Sequence, residues 1–103
     1  LPKKNITPSW FGLPILINKK VKVDKKKFLK FLDKQGVENR PIVSGNFLNQ
    51  PAIKLFNLKT KGKFKNSEII EKKGFFIGLH TKKLSNSKAK FLADKMLEIS
   101  NLK

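Results

Sequence analysis

The stretch ENRPIVSGNFLNQP, residues 38–51, holds Arg40, the single arginine in a chain whose other cationic side chains are lysines. A guanidinium presents a planar fork of N–H donors that can grip a carboxylate or phosphate with two parallel hydrogen bonds, which an ammonium cannot do. Just beyond it stand the amides of Asn46, Asn49 and Gln50, each able to donate and accept toward a polar ligand. The local alternative is an ion pair with Glu38 or a structural bond to loop carbonyls, and the residues alone leave the two readings level. His80, the sole histidine, follows an apolar run and precedes TKKLS. A lone imidazole there is more often structural or solvated than functional, although a strand end is a fair place for a site residue. Trp10 and Phe11 in TPSWF either fill a core or line a pocket mouth, and the core is the commoner fate.

The other titratable groups build no reaction centre. Of the seven carboxylates, Asp24 reads as a helix cap, and Asp33, Glu71, Asp94 and Glu98 fall on helix faces among lysines, where i, i+4 pairing accounts for them. The absence of cysteine removes disulfides, thiolate catalysis and cysteine metal sites. One histidine excludes a histidine-cluster metal site. GNF, KGK and IGLH lack the spacing and strand-to-helix context of a phosphate loop. No apolar run approaches the roughly 20 residues that span a bilayer, and no signal-peptide pattern opens the sequence. Leu1 in place of an initiating methionine suggests a processed or cut chain, whose chemistry would then lie elsewhere.

The formal net charge of +17 suggests nucleic acid or an anionic surface, since such partners reward clustered cations through counterion release. The kind of charge argues otherwise. Base readout and bidentate phosphate capture favour arginine, and here lysines are scattered through DKKKFLK, KTKGKFK, EKKG and TKKLSNSKAK. Lysine reads as solvated surface filler, with a free-standing basic nucleic-acid-binding module as the competing class.

These residues must be positioned by a short set of elements. At 103 residues the chain suits one domain with one modest core. SWFGLPILIN predicts a buried strand from about Trp10 to Ile17, with Pro14 marking an edge or bulge. Asp24 caps a helix carrying the stripe Phe28, Leu29, Phe31 and Leu32, closed by Gly36. A second strand is expected over Val37–Val43, interrupted by Pro41, then the loop SGNFLNQ and one helical turn opened by Pro51. Asn66 or Ser67 is expected to cap a short helix that Gly74 ends. A third strand is expected over Phe75–His80, where Gly78 hints at close backbone approach. Ser85 caps a last helix with Ala89, Leu92, Met96 and Ile99 on its apolar face and Ala93 and Leu97 beside them. The order, β-α-β-(α)-α-β-α, predicts an α+β domain with helices packed on a small sheet.

The motifs also carry a resemblance. GVENRPIVSGNFLNQPAIK resembles the GI-x-x-RP-I-V-x-GN-F-x-x-(Q/N)-P stretch in the C-terminal domain of the DegT/DnrJ/EryC1/StrS family. Those are fold-type-I pyridoxal-phosphate enzymes acting on nucleotide-linked keto-sugars. PSWFGLPI resembles the strand opening that domain, NSEIIEKKGFFIGLH its GFF(I/V)G segment and LSNSKAKFLADKMLEI its closing helix, so the likeness covers essentially the whole chain. It implies a small, mostly antiparallel sheet of about three strands with helices packed on it. Residues 1–103 would be one small C-terminal domain, with the pyridoxal 5'-phosphate domain upstream. That domain would carry the Schiff-base lysine, or a histidine in the 3-dehydratase branch, and the aspartate facing the pyridine nitrogen. No catalytic residue would then lie in this chain, and the fragment alone would be inactive.

The resemblance further implies a nucleotide-linked 4-keto-6-deoxy sugar and glutamate as partners of the intact enzyme, in lipopolysaccharide or O-antigen sugar biosynthesis. A homodimer, a cytoplasmic location, and no metal, membrane or nucleic-acid partner go with it. By matching position, Arg40 would hold a carboxylate or phosphate, that of the amino donor first. The Gly45 backbone and Asn46, together with His80, would face the sugar or nucleotide. SWFGLPI, RPIVSGNF and GFFIGLH look more like 3-dehydratase members than common sugar aminotransferases. Leu79 and His80, however, stand where the dehydratase pattern has an asparagine–histidine pair, so the branch stays open between the two.

Overall fold

In the computed structural model, which describes residues 4–101, helix α1 (Lys25–Lys34) starts where the Asp24 carboxylate accepts the Lys27 amide at 3.0 Å. It stops where Gly36 takes a φ of +75°, a conformation that costs glycine nothing. Both boundaries follow the sequence expectation. Phe28 and Leu32, four residues apart on α1, are buried, and the Phe28 ring lies 5.7 Å from that of Phe75. Around them gather Ile17, Val23, Ile77 and, from α4 (Asn86–Ser100), Ile99.

Three strands complete the frame: β1 (Gly12–Leu16), β2 (Asn39–Pro41) and β3 (Gly74–Gly78). They form one sheet in the order β1-β3-β2, with both pairings antiparallel. The domain is therefore α+β, with β3 central and Pro14 on an edge strand, where a missing N–H is tolerated. Phe75 and Ile77 point into the core under α1 and α4. On the other face Phe76 lies in register between Pro14 and Arg40. There the Phe11 ring meets Phe76 edge-on at 5.5 Å.

Several expectations need correction. The strands are shorter than the apolar runs suggested: β1 begins at Gly12, not Trp10, and β2 spans only Asn39–Pro41. Pro41 cannot donate to a ladder, and Val43 turns the chain at a φ of 40°. The loop before α2 (Pro51–Leu55) contains a 3₁₀ turn over Phe47–Asn49. Helix α3 (Lys65–Lys73) begins at Phe64 without a side-chain cap, so neither Asn66 nor Ser67 serves as one. Gly74 does end α3, as expected, but in an extended conformation that also opens β3. A Cβ there would fall 2.5 Å from the Ile70 carbonyl oxygen, so close approach occurs at Gly74, whereas a Cβ at Gly78 would meet nothing within 4 Å. β3 also ends at Gly78, short of His80. On α4, Leu92 and Met96 pack with Ile99 while Ala89, Ala93 and Leu97 are exposed. Trp10 and Phe11 are 51% and 78% exposed, so neither is core.

Candidate functional site

Arg40 sits mid-strand in β2, and its side chain turns back on its own strand. Nη2 and Nε donate to the same Glu38 oxygen, Oε1, at 2.7 and 3.2 Å. Residues two apart in extended backbone share a face, so Glu38, just before β2, is within reach of Arg40. Both side chains are largely exposed, and such a pair contributes roughly 0.2–1 kcal/mol. An incoming carboxylate or phosphate would meet little resistance in displacing Glu38.

The amides downstream are committed to the loop's own architecture. The Gly45 N–H donates to the Ile42 carbonyl at 2.8 Å, closing a turn with Val43 and Gly45 both at positive φ. Asn46 is buried, and its Oδ1 accepts the Leu48 amide at 3.2 Å, capping the 3₁₀ turn. Gln50 Nε2 donates to the Ser44 carbonyl at 2.9 Å, and Asn49 Nδ2 donates to the Glu71 carboxylate. The Gly45 amide and the Asn46 and Gln50 side chains thus bond within the loop, and Asn49 ties the loop to Glu71.

Glu71 is the residue that sequence reasoning passed over as a helix-face carboxylate. Gly45 packs against it so closely that a Cβ would lie 2.9 Å from the Glu71 Cγ. Its backbone carbonyl accepts Lys25 Nζ at 2.9 Å. Burial lowers the Lys25 pKa below its ordinary value, and the nearby Glu71 charge opposes that shift. No local pattern flagged Glu71, because its partners Lys25, Gly45 and Asn49 are all distant in sequence.

His80 lies two residues beyond β3 and is exposed. Its Nδ1 accepts the Lys82 amide at 3.1 Å, which places the imidazole proton on Nε2 and leaves that nitrogen as a donor. It lines a cleft of about 790 Å³ shared with Trp10, Glu38, Lys82, Lys88 and Phe91. Gly45 lines a different depression of about 270 Å³ with Lys25, Ser44, Gln50 and Glu71. The antiparallel register explains the separation. Asn39 pairs with Ile77 and Pro41 with Phe75, so Glu38 lies toward the His80 end of β3 and the Gly45–Asn46 loop lies past the Gly74 end. At roughly 3.4 Å per residue, β3 keeps the two ends about 14 Å apart. The structure therefore sets Glu38, the ion-pair partner of Arg40, in the cleft that His80 lines, while Arg40 itself, Gly45 and Asn46 do not line that cleft.

The smaller depression does not fit pyridoxal phosphate. Lys25 is bonded to a backbone carbonyl and Glu71 to Asn49, leaving neither an uncommitted amine to join the cofactor's aldehyde nor a carboxylate to face its ring nitrogen. Among the described residues no three histidine, cysteine or carboxylate side chains gather as metal ligands, and no helix is long and apolar enough to cross a membrane.

No protein-family model matches the chain. It is 40% identical over 73 residues to the GDP-4-keto-6-deoxy-D-mannose 3-dehydratase of Escherichia coli O55:H7, a match covering 70% of this chain and 19% of that protein. The Yersinia pseudotuberculosis protein of the same name is 37% identical over 78 residues, 75% of this chain and 20% of its own length. Lipopolysaccharide biosynthesis protein RfbH of Salmonella typhimurium is 32% identical over 73 residues, 71% of this chain and 17% of that protein. Among solved structures, a GDP-4-keto-6-deoxymannose-3-dehydratase variant with bound GDP-perosamine overlays with a TM-score of 0.75 at 34% identity, covering 84% of this chain and 22% of that one. The same enzyme with a trapped PLP-glutamate geminal diamine gives 0.73 over the same shares. The chain spans about a fifth of the length of the curated relatives it matches.

Proposed function

We propose that this chain is the small C-terminal domain of a pyridoxal-phosphate-dependent 3-dehydratase of the DegT/DnrJ/EryC1/StrS family, acting on a GDP-linked 4-keto-6-deoxy sugar in lipopolysaccharide sugar biosynthesis. One observation carries the reading: sequence identity and backbone overlay point to the same dehydratase, the overlay running through 84% of this chain. A cofactor-binding domain upstream, glutamate as second substrate, a homodimer and a cytoplasmic setting belong to the proposal. The cofactor, held by that other domain, would supply an electron sink for breaking a bond beside the imine carbon. This chain's residues would close over the substrate and orient it, and no catalytic group would come from them.

Within that reading Arg40 is the group for an anionic partner, because its resting contact with Glu38 is solvent-exposed and exchangeable. The intact polypeptide, loaded with pyridoxal phosphate, is incubated with GDP-4-keto-6-deoxymannose and glutamate and its product identified. Loss of the C3 hydroxyl supports the dehydratase; a product that has gained an amine at C4 and kept its C3 hydroxyl makes it an aminotransferase. In the same enzyme Arg40→Lys keeps the charge and loses the fork. The half-reaction with glutamate, or that with sugar, should slow about tenfold, and unchanged rates for both remove Arg40 from the site.

A further inference from the structure

The cleft beside His80 combines aromatic and basic side chains. Its aromatic walls are Trp10 and Phe91, and its rim carries Lys82, Lys83 and Lys88. A second depression of about 450 Å³ opens off the same three lysines and His80. Farther along α4 the lysines are neutralised, Lys90 by Asp94 at 2.8 Å and Lys95 by Glu98 at 2.7 Å. Among the described residues the three rim lysines have no carboxylate partner. Glu38, the one carboxylate lining the cleft among the described residues, is already held by Arg40 at 2.7 Å. The cavity thus brings together the aromatic rings of Trp10 and Phe91, the latter with Lys95 Nζ 5.9 Å from its centroid, and lysines whose charge no carboxylate offsets, with the His80 Nε2 proton as a further donor. Its volume lies within the roughly 300–1,000 Å³ of small-molecule sites.

We propose that this cleft binds the nucleoside diphosphate portion of a sugar nucleotide, the base stacked against Trp10 and Phe91 and the phosphates among Lys82, Lys83 and Lys88. The choice of a sugar nucleotide rests on the dehydratase reading; the placement rests on the cleft. Stacking on an aromatic face is available to any base, and lysine serves phosphate as a point charge where no fork is needed. Neither half suffices alone, so guanosine and pyrophosphate should each bind less well than their combination.

Trp10 is the chain's only tryptophan, so its fluorescence reports on this cleft and nothing else. The chain is titrated with GDP, guanosine, inorganic pyrophosphate and a single-stranded oligonucleotide, with calorimetry in parallel. GDP should quench saturably, and guanosine and pyrophosphate should bind about tenfold more weakly or worse. Simultaneous Lys82→Gln, Lys83→Gln and Lys88→Gln should weaken GDP about tenfold and flatten its salt dependence with the circular dichroism unchanged. The proposal is overturned by pyrophosphate binding as tightly as GDP, by the oligonucleotide outcompeting GDP, by an indifferent triple variant, or by neither heat nor quenching at millimolar GDP. If the intact enzyme dehydrates its sugar nucleotide and the triple variant leaves KM unchanged, the placement is wrong and the dehydratase reading stands. If this chain binds GDP while the intact enzyme acts on no GDP-sugar, the dehydratase reading fails by itself.

Discussion

Val43 and Gly45 bracket a turn in which one residue suits its backbone and the other does not. Gly45 holds a φ of +62° with Glu71 against the place of a Cβ, so Gly45→Ala should lower stability by about 1–2 kcal/mol from the left-handed backbone alone. Val43 holds a φ of 40° while 84% exposed, so it takes the same kind of penalty and gains little burial. Val43→Gly should raise the urea midpoint, because relief of about 1–2 kcal/mol exceeds glycine's roughly 0.5–1 kcal/mol entropic cost. Midpoints that fall for both variants would refute this account of the turn. Lys25 adds a pH signature. Its folded pKa lies below 10.5 through burial, so the desolvation penalty is complete in neutral solution. Between the lowered folded pKa and 10.5 the unfolded chain binds more protons, and stability contributed by this site rises with pH. The stability of the parent minus that of Lys25→Met should therefore grow as pH climbs through that window. A gap that stays flat or shrinks, measured by urea melts, argues against a desolvated Lys25.

Helix ends divide into those a local pattern announces and those it does not. Asp24 and Ser85 were readable because a short polar side chain followed by a helical stripe is a local signal, and both accept the amide three residues on, at 3.0 and 3.4 Å. The α3 start was not readable, since Phe64 precedes the helix without a side-chain bond. Ser85→Ala should thus cost about 1 kcal/mol in a thermal melt, and Ser67→Ala close to nothing; equal losses would contradict the cap assignments. Strand order could not be read from periodicity, because pairing of β1 and β2 with β3 depends on contacts across dozens of residues. Gly74 shows the same limit. A glycine after a helix is ambiguous in sequence, and only the approach of the Ile70 carbonyl shows that it serves a tight helix-to-strand passage. For the candidate site, Arg40 and His80 were legible as unusual residue types. The cleft was not, since it is assembled from Trp10, the β3 end and α4, and Glu71 was missed for the same reason.

Among the described residues, seven buried apolar side chains make up the core. The radius of gyration is 16.2 Å, against about 13 Å for a compact domain of this length. Phe11, Leu13 and Leu16 remain exposed on or beside β1, a surface suited to further protein. In isolation the charge of +17 should keep copies apart at low ionic strength, and added salt should screen that repulsion and promote association. Sedimentation at low and high sodium chloride tests this, and association that weakens with salt would exclude apolar contact as its cause. The position of β3 in the middle of the sheet bears on how the chain is made and cut. During synthesis neither β1 nor β2 has a partner until residues 74–78 have left the ribosome, so the sheet closes late and all at once. A protease nick among the exposed lysines of residues 57–64 would leave both outer strands on one fragment and their shared partner on the other. The two pieces should stay clasped in native buffer and part only in denaturant, which would make this domain a natural candidate for reassembly from halves.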